Sequence, residues 1–116
     1  MLLVCRFAVP AAPDDLTDPD AVARFVARAR RALELLTEAP GCLGGELGRA
    51  VDEPRRWVLA VRFASVDAYR RALSPFPVRE HVVPLLSEAL ADEPATYEVL
   101  VGGVDGRVTE HPSLLA

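Results

Sequence analysis

Lysine, asparagine, glutamine and isoleucine are all missing from this chain of 116 residues. Their joint absence reads as the coding bias of a GC-rich genome and not as a functional signature. A basic excess is missing too: 13 arginines face 17 acidic side chains, for a net charge of -4. That leaves no surplus to hold phosphate backbones, so nucleic acid is not an expected partner. Imidazole and thiol are scarce. His81, His111, Cys5 and Cys42 form no C-x-x-C pair or other ligand spacing, so no structural metal site is expected. Long apolar runs are absent as well. Residues 1–7 are too short for a signal peptide, are interrupted by Arg6 and lack a positive segment before them. Nothing approaches the roughly 20 apolar residues of a membrane span. A cytoplasmic protein without a membrane partner is expected, its two cysteines reduced.

What is present is ordinary globular composition, 51% hydrophobic and 26% charged, of a size for one domain with its own core. The most informative stretch is residues 41–81. Within it, residues 56–63 alternate, placing Trp57, Leu59, Val61 and Phe63 on one side of a strand and Arg56, Val58, Ala60 and Arg62 on the other. A weaker strand at 43–51, thinned by Gly44, Gly45 and Gly48, precedes it, and Asp52-Glu53-Pro54-Arg55 supplies the turn of a hairpin. Those glycines have no phosphate-loop context and read as strand or bulge features. Ser65 is a natural N-cap for a helix carrying Val66, Tyr69 and Leu73 on one face.

Residues 2–9 alternate as a first strand and stop at Pro10, and 11–17 read as a loop. Asp18-Pro19 starts a helix whose apolar stripe is Val22, Phe25, Val26, Ala29, Leu33 and Leu36. A further helical stretch at 74–93 carries Val78, Val82, Leu85, Leu86 and Ala89, and Pro84 should kink or restart it. Residues 95–101 read as the last strand and 102–116 as a tail. The order β-α-β-β-α-β predicts an α+β, ferredoxin-like sandwich with an antiparallel sheet and both helices on one face. Both faces of the sheet read as apolar, and exposing such a patch costs roughly 25 cal/mol per Å². A second copy packed sheet against sheet is the simplest cover, so a homodimer is expected, with domain 1–101 followed by a tail, 102–116, lying on the partner.

Several of these residues carry a resemblance to the antibiotic biosynthesis monooxygenase (ABM) domains, which form dimeric α+β barrels. They are Pro40-Gly41-Cys42-Leu43-Gly44 with Glu46-Leu47, residues 54–63, Ser65-Val66-Asp67-Ala68-Tyr69, and Ser74-Pro75. The resemblance covers residues 2–101 and implies a cofactor-independent monooxygenase that uses molecular oxygen on a small aromatic, quinol or polyketide-like substrate. It leaves two alternatives, a haem-binding or haem-degrading enzyme and a catalytically silent ligand-binding dimer. The family's polyketide oxygenases share an Asn, Trp and Arg constellation, and this chain has no asparagine. Haem-degrading relatives use an Asn on the first strand and a Trp ending the third, where this chain has Arg6 or Phe7 and Phe63.

Oxygenation without a cofactor needs a dry pocket, a base, and donors or positive charge to hold an anion. His81, Tyr69 and Arg62 are the candidate catalytic residues, expected to point into a cleft between helices and sheet. Trp57, Phe63, Phe7 and Leu86 are the candidate substrate-binding walls. His81 borders the Val78, Val82, Leu85 stripe, and the segment 76–81 resembles the one carrying the proximal histidine of haem-degrading relatives. It can equally be a half-exposed histidine with a local hydrogen bond. Trp57 reads first as packing and second as a stacking surface, and Tyr69 as packed. Arg62, if buried, needs an anion such as Glu98, Glu46 or a substrate oxygen.

Overall fold

Short-range signals set the element boundaries in the computed structural model, which describes residues 1–10 and 18–115. The loop read at 11–17 lies outside them. Strand β1 is Leu2–Ala8 and helix α1 Pro19–Thr37. Asp18 caps α1, its carboxylate accepting from the amides of Asp20 and Ala21 at 3.0 and 3.3 Å. Strands β2 (Cys42–Arg49) and β3 (Arg56–Phe63) form the expected hairpin, and α2 (Val66–Ala72) starts at Ser65, whose Oγ accepts from the Ala68 amide at 3.0 Å. Pro84 acts as anticipated: the next helical stretch is split at Val82 into α3 (Phe76–His81) and α4 (Val83–Leu86).

The sheet runs β2-β3-β1-β4 with every pair antiparallel, the topology of a ferredoxin-like α+β sandwich. Leu3, Cys5, Phe7, Leu59, Val61 and Phe63 turn toward the helices and are buried against Ala29, Ala32 and Leu36 of α1, Ala68 and Ala72 of α2, and Val78, Val82 and Leu85 behind them. Burial pushes the Cys5 thiol from 9.0 up to about 11, so this side chain serves as a small hydrophobe. The opposite face carries Leu2, Val4, Val58 and Ala60, all half-buried, with Arg6 and Arg62.

Two differences lie at the C-terminal end. The last sheet strand, β4, is only Thr96–Tyr97, and the stretch read as a tail folds into a hairpin, β5 (Val101–Val104) and β6 (Arg107–Glu110), that pairs with itself and not with the sheet. Its turn residues Asp105 and Gly106 both have positive φ, 52° and 77°. An Asp-Gly pair between Val104 and Val108 is the ordinary signal for such a turn, so the hairpin was readable. Val101, Val104 and Val108 are exposed along it.

Candidate functional site

Cross-strand register brings the site together. Phe7 and Arg49 both lie opposite Trp57, one on each side of it in the sheet. Helix α1 adds Phe25, whose ring lies 5.2 Å from Phe7 and 5.5 Å from Trp57, both tilted. The Arg49 guanidinium carbon sits 4.5 Å from the centre of the Trp57 ring. A cleft of about 420 Å³ opens at this end of the sheet, bounded by Arg6, Phe7, Arg49, Glu53, Arg56, Trp57 and Leu90 among others. Residues of both strand alternations line it, Arg6 and Val58 as well as Phe7 and Trp57.

Among the described residues that line it, three arginines and a single carboxylate make the wall cationic, and most of that charge is matched. Arg6 reaches Asp92 at 3.2 Å and Glu93 at 3.3 Å, and Arg56 faces Glu53 at 3.6 Å. The segment carrying Asp92 and Glu93 is tied to the sheet by the Leu90 amide, which donates to the Arg6 carbonyl at 2.7 Å. It is tied to α1 by Arg28 and Glu88, a contact that lowers the carboxyl and raises the guanidinium. Trp57 Nε1–H is buried and, among the described residues, has no acceptor.

The residues singled out from sequence divide into three places. Trp57 and Phe7 belong to the cleft. Phe63 and Tyr69 meet each other, ring centres 5.4 Å apart, and the Tyr69 hydroxyl is pushed up by burial first and by the nearby Cys5 second. Leu86 is half-buried against the core. His81 and Arg62 do not point inward as expected. His81 has its side chain 47% exposed, with Glu80 at 3.8 Å. A stripe-bordering position faces whichever side its neighbours leave open, and here that side is water. Arg62 is exposed on the opposite face of β3, and among the described residues it has no ion pair with Glu98 or Glu46. Its guanidinium instead lies across Gly44, where an added Cβ would stand 3.2 Å from it. The space between helices and sheet near Tyr69 is filled by Leu3, Cys5, Phe63, Val78, Val82 and Leu85. A second cleft, about 350 Å³, lies between the C-terminal end of α1 and the α2–α3 junction and involves none of the predicted site residues.

Among the described residues no three His, Cys, Asp or Glu side chains gather in a way that could hold a metal ion, and no helix is long and apolar enough to cross a membrane. Arg49, Phe25 and Glu53 are members of this neighbourhood that strand and helix periodicity alone did not reveal.

The solved structures most informative for comparison share the fold. SnoaB, a cofactor-independent oxygenase from Streptomyces nogalater, is 26% identical over 76% of this chain and 80% of its own, with a TM-score of 0.58. A conserved protein from Methanosarcina mazei Go1 is 18% identical over 79% and 82%, at 0.60. A Shewanella oneidensis protein is 17% identical over 76% and 78%, at 0.57. No curated protein matches the chain. The family model described as antibiotic biosynthesis monooxygenase matches residues 16–75, more than half of the length. Taken with the split βαββαβ sheet, that match makes this chain a member of the antibiotic biosynthesis monooxygenase family.

Proposed function

We propose that the protein is a cofactor-independent monooxygenase acting on a small, flat aromatic substrate, quinol or anthrone in type, bound in the Trp57 cleft of a homodimer. The observation that carries this reading is the cleft itself, about 420 Å³, lined by Phe7 and Trp57 with the Arg49 guanidinium over the indole ring, and large enough for two or three fused rings. The likeness to SnoaB supports the reaction class. The substrate loses a proton, its carbanion passes an electron to dioxygen, and recombination forms a hydroperoxide. For an anthrone, loss of water from that hydroperoxide then leaves a carbonyl where the ring methylene had been, so one oxygen atom enters the product and the other leaves as water. The chain's part is to bind the rings against Phe7 and Trp57, to stabilise the anion by donors already in place, and to take the proton. Glu53, the one carboxylate bounding the cleft among the described residues, is the acceptor in this reading.

Dimerisation rests on the half-buried apolar sheet face and on the exposed valines of the β5–β6 hairpin, since a lone two-stranded hairpin is marginal in water. Arg6 and Val58 belong to that face, so a second copy packed on it borders the cleft and keeps water out. In solution the mass should be twice that of the chain; a monomer at micromolar concentration would refute the paired arrangement.

Oxygen uptake with 1,8-dihydroxyanthrone, measured against a protein-free blank, tests the activity. Uptake at least about a hundredfold above the blank, with one carbonyl formed per dioxygen consumed, is expected from general-base and electrostatic contributions of ordinary size. Rates equal to the blank for anthrones and quinols alike would leave the silent ligand-binding dimer, a reading favoured by the filled space between helices and sheet.

A further inference from the structure

The walls of the Trp57 cleft differ in how they are fastened. Phe7, Gly48, Arg49, Trp57 and Val58 belong to β1, β2 and β3 and are held by the ladders of the sheet. The turn carrying Ala50 and Glu53 is pinned as well: the Ala50 amide donates to the Arg56 carbonyl at 2.9 Å, the Arg56 amide to the Glu53 carbonyl at 2.9 Å, and the Val9 amide to the Arg55 carbonyl at 2.8 Å. Among the described residues, Leu90 alone of the cleft's lining comes from outside the sheet and this turn. It lies between α4 and β4, in a segment without regular structure. Its amide donates to the Arg6 carbonyl at 2.7 Å, and the next backbone tie is the Val4 amide on the Ala95 carbonyl, also 2.7 Å. Residues 91–94 in between are exposed and, among the described residues, make no backbone hydrogen bond. Charge holds this segment instead. Arg6 of β1 reaches Asp92 and Glu93 at 3.2 and 3.3 Å, and Arg28 of α1 grips Glu88 with both terminal nitrogens. None of residues 90–94 belongs to the buried core. A segment with little buried apolar surface, a single backbone tie at its cleft-side residue and salt-screened surface pairs has the makeup of a unit that opens on its own, well below the cost of unfolding the protein.

We infer that residues 88–94 form a strap along the Trp57 cleft, latched to the helix layer by Arg28 and to the sheet by Arg6, and that its release moves Leu90 out of the wall and opens the way into the cleft. The inference rests on the proposed use of the cleft only for what is admitted there. The opening itself needs neither substrate nor oxygen.

Hydrogen exchange of the Leu90 amide, followed by NMR on the full chain, tests this. That amide should exchange faster than those of β3, which lies between β2 and β1 and is freed only when the sheet comes apart. Arg28→Gln is expected to speed Leu90 exchange about fivefold, the size of a well-aligned surface ion pair. Sodium chloride at about 1 M, where the screening length is about 3 Å, should act in the same direction on the unaltered protein. The β3 amides should not change in either case, and exchanging the partners, Arg28→Glu with Glu88→Arg, should restore the protection. Loosening both latches at once, Arg28→Gln with Asp92→Asn and Glu93→Gln, should raise acrylamide quenching of Trp57, the single tryptophan. Leu90 protected as strongly as β3 throughout, a loss in Arg28→Gln shared equally by β3, no response to salt, or unchanged quenching once Leu90 is freed would each overturn the inference. Leu90 freed as expected with no oxygen uptake from any anthrone or quinol would keep the strap and remove the oxygenase. Uptake with Leu90 fixed would do the reverse.

Discussion

Glu53→Gln is expected to lower oxygen uptake by about two to four orders of magnitude, the usual contribution of a positioned general base, while His81→Ala changes it by less than about threefold. The contrast sets the structure against the sequence. An imidazole is the easier base near neutral pH, and His81 was the good histidine of the chain. Yet it stands with its side chain half in water beside Glu80, on neither cleft. Glu53 bounds the cleft and is held by Arg56 at 3.6 Å. The glutamine variant keeps the size and one acceptor oxygen, so the fold and the dimer should survive. Steady-state oxygen consumption of both variants with the same anthrone decides the matter. A collapse in His81→Ala with full activity in Glu53→Gln would return the proton to the imidazole and move the reaction away from Trp57.

Gly41→Ala should cost about 3 kcal/mol or more of folding stability, and Gly106→Ala only about 1. Both glycines have positive φ, 85° and 77°, so both substitutions carry the strain of a left-handed backbone, of order 1–3 kcal/mol. Only Gly41 adds a collision: a Cβ there would stand 2.6 Å from the Cβ of Ala68, itself buried on α2, whereas one at Gly106 meets nothing within 4 Å. The Gly41 carbonyl also accepts from the Ala64 amide at 2.7 Å, so the backbone cannot swing away without losing the junction between β3 and α2. Against a total stability of typically 5–15 kcal/mol the first loss is large. Urea midpoints of the two variants measure the difference, and equal shifts would show that the α2 contact yields freely.

Much of this fold was legible because its signals are local. Asp18 and Ser65 announce their helices through their own side chains, Pro84 sits in the first turn of α4 just after the break at Val82, and the alternation of residues 56–63 assigns Leu59, Val61 and Phe63 to the buried side and Arg56 and Arg62 to the exposed one. The site was less legible because it is made by register. That Arg49 lies opposite Trp57 follows from how the hairpin turn closes, the Ala50 amide donating to the Arg56 carbonyl at 2.9 Å, and not from the type of residue at position 49. Phe25 reaches the same place only because α1 crosses over the sheet. The expected convergence of His81, Tyr69 and Arg62 failed for a related reason. Tyr69 and Arg62 belong to opposite faces of the sheet layer, and periodicity fixes a face only relative to its own element.

The borders of the sheet bear on a different question, how the chain avoids polymerising. An unpaired strand edge is a template on which another chain can extend the ladder. One border is β4, two residues long and too short to seed such growth. The other is β2, whose ladder is disturbed at Cys42 and Gly44 and which presents Glu46 and Arg49 to an incoming strand. Sideways addition is poorly served at both borders, so the attractive surface left to this protein is the broad face of the sheet, which a single partner can cover. Contact there ends after one copy, whereas contact along an edge need not end at all. The β5–β6 ribbon, with Val101, Val104 and Val108 exposed, is where fibre formation would begin if nothing covered those side chains.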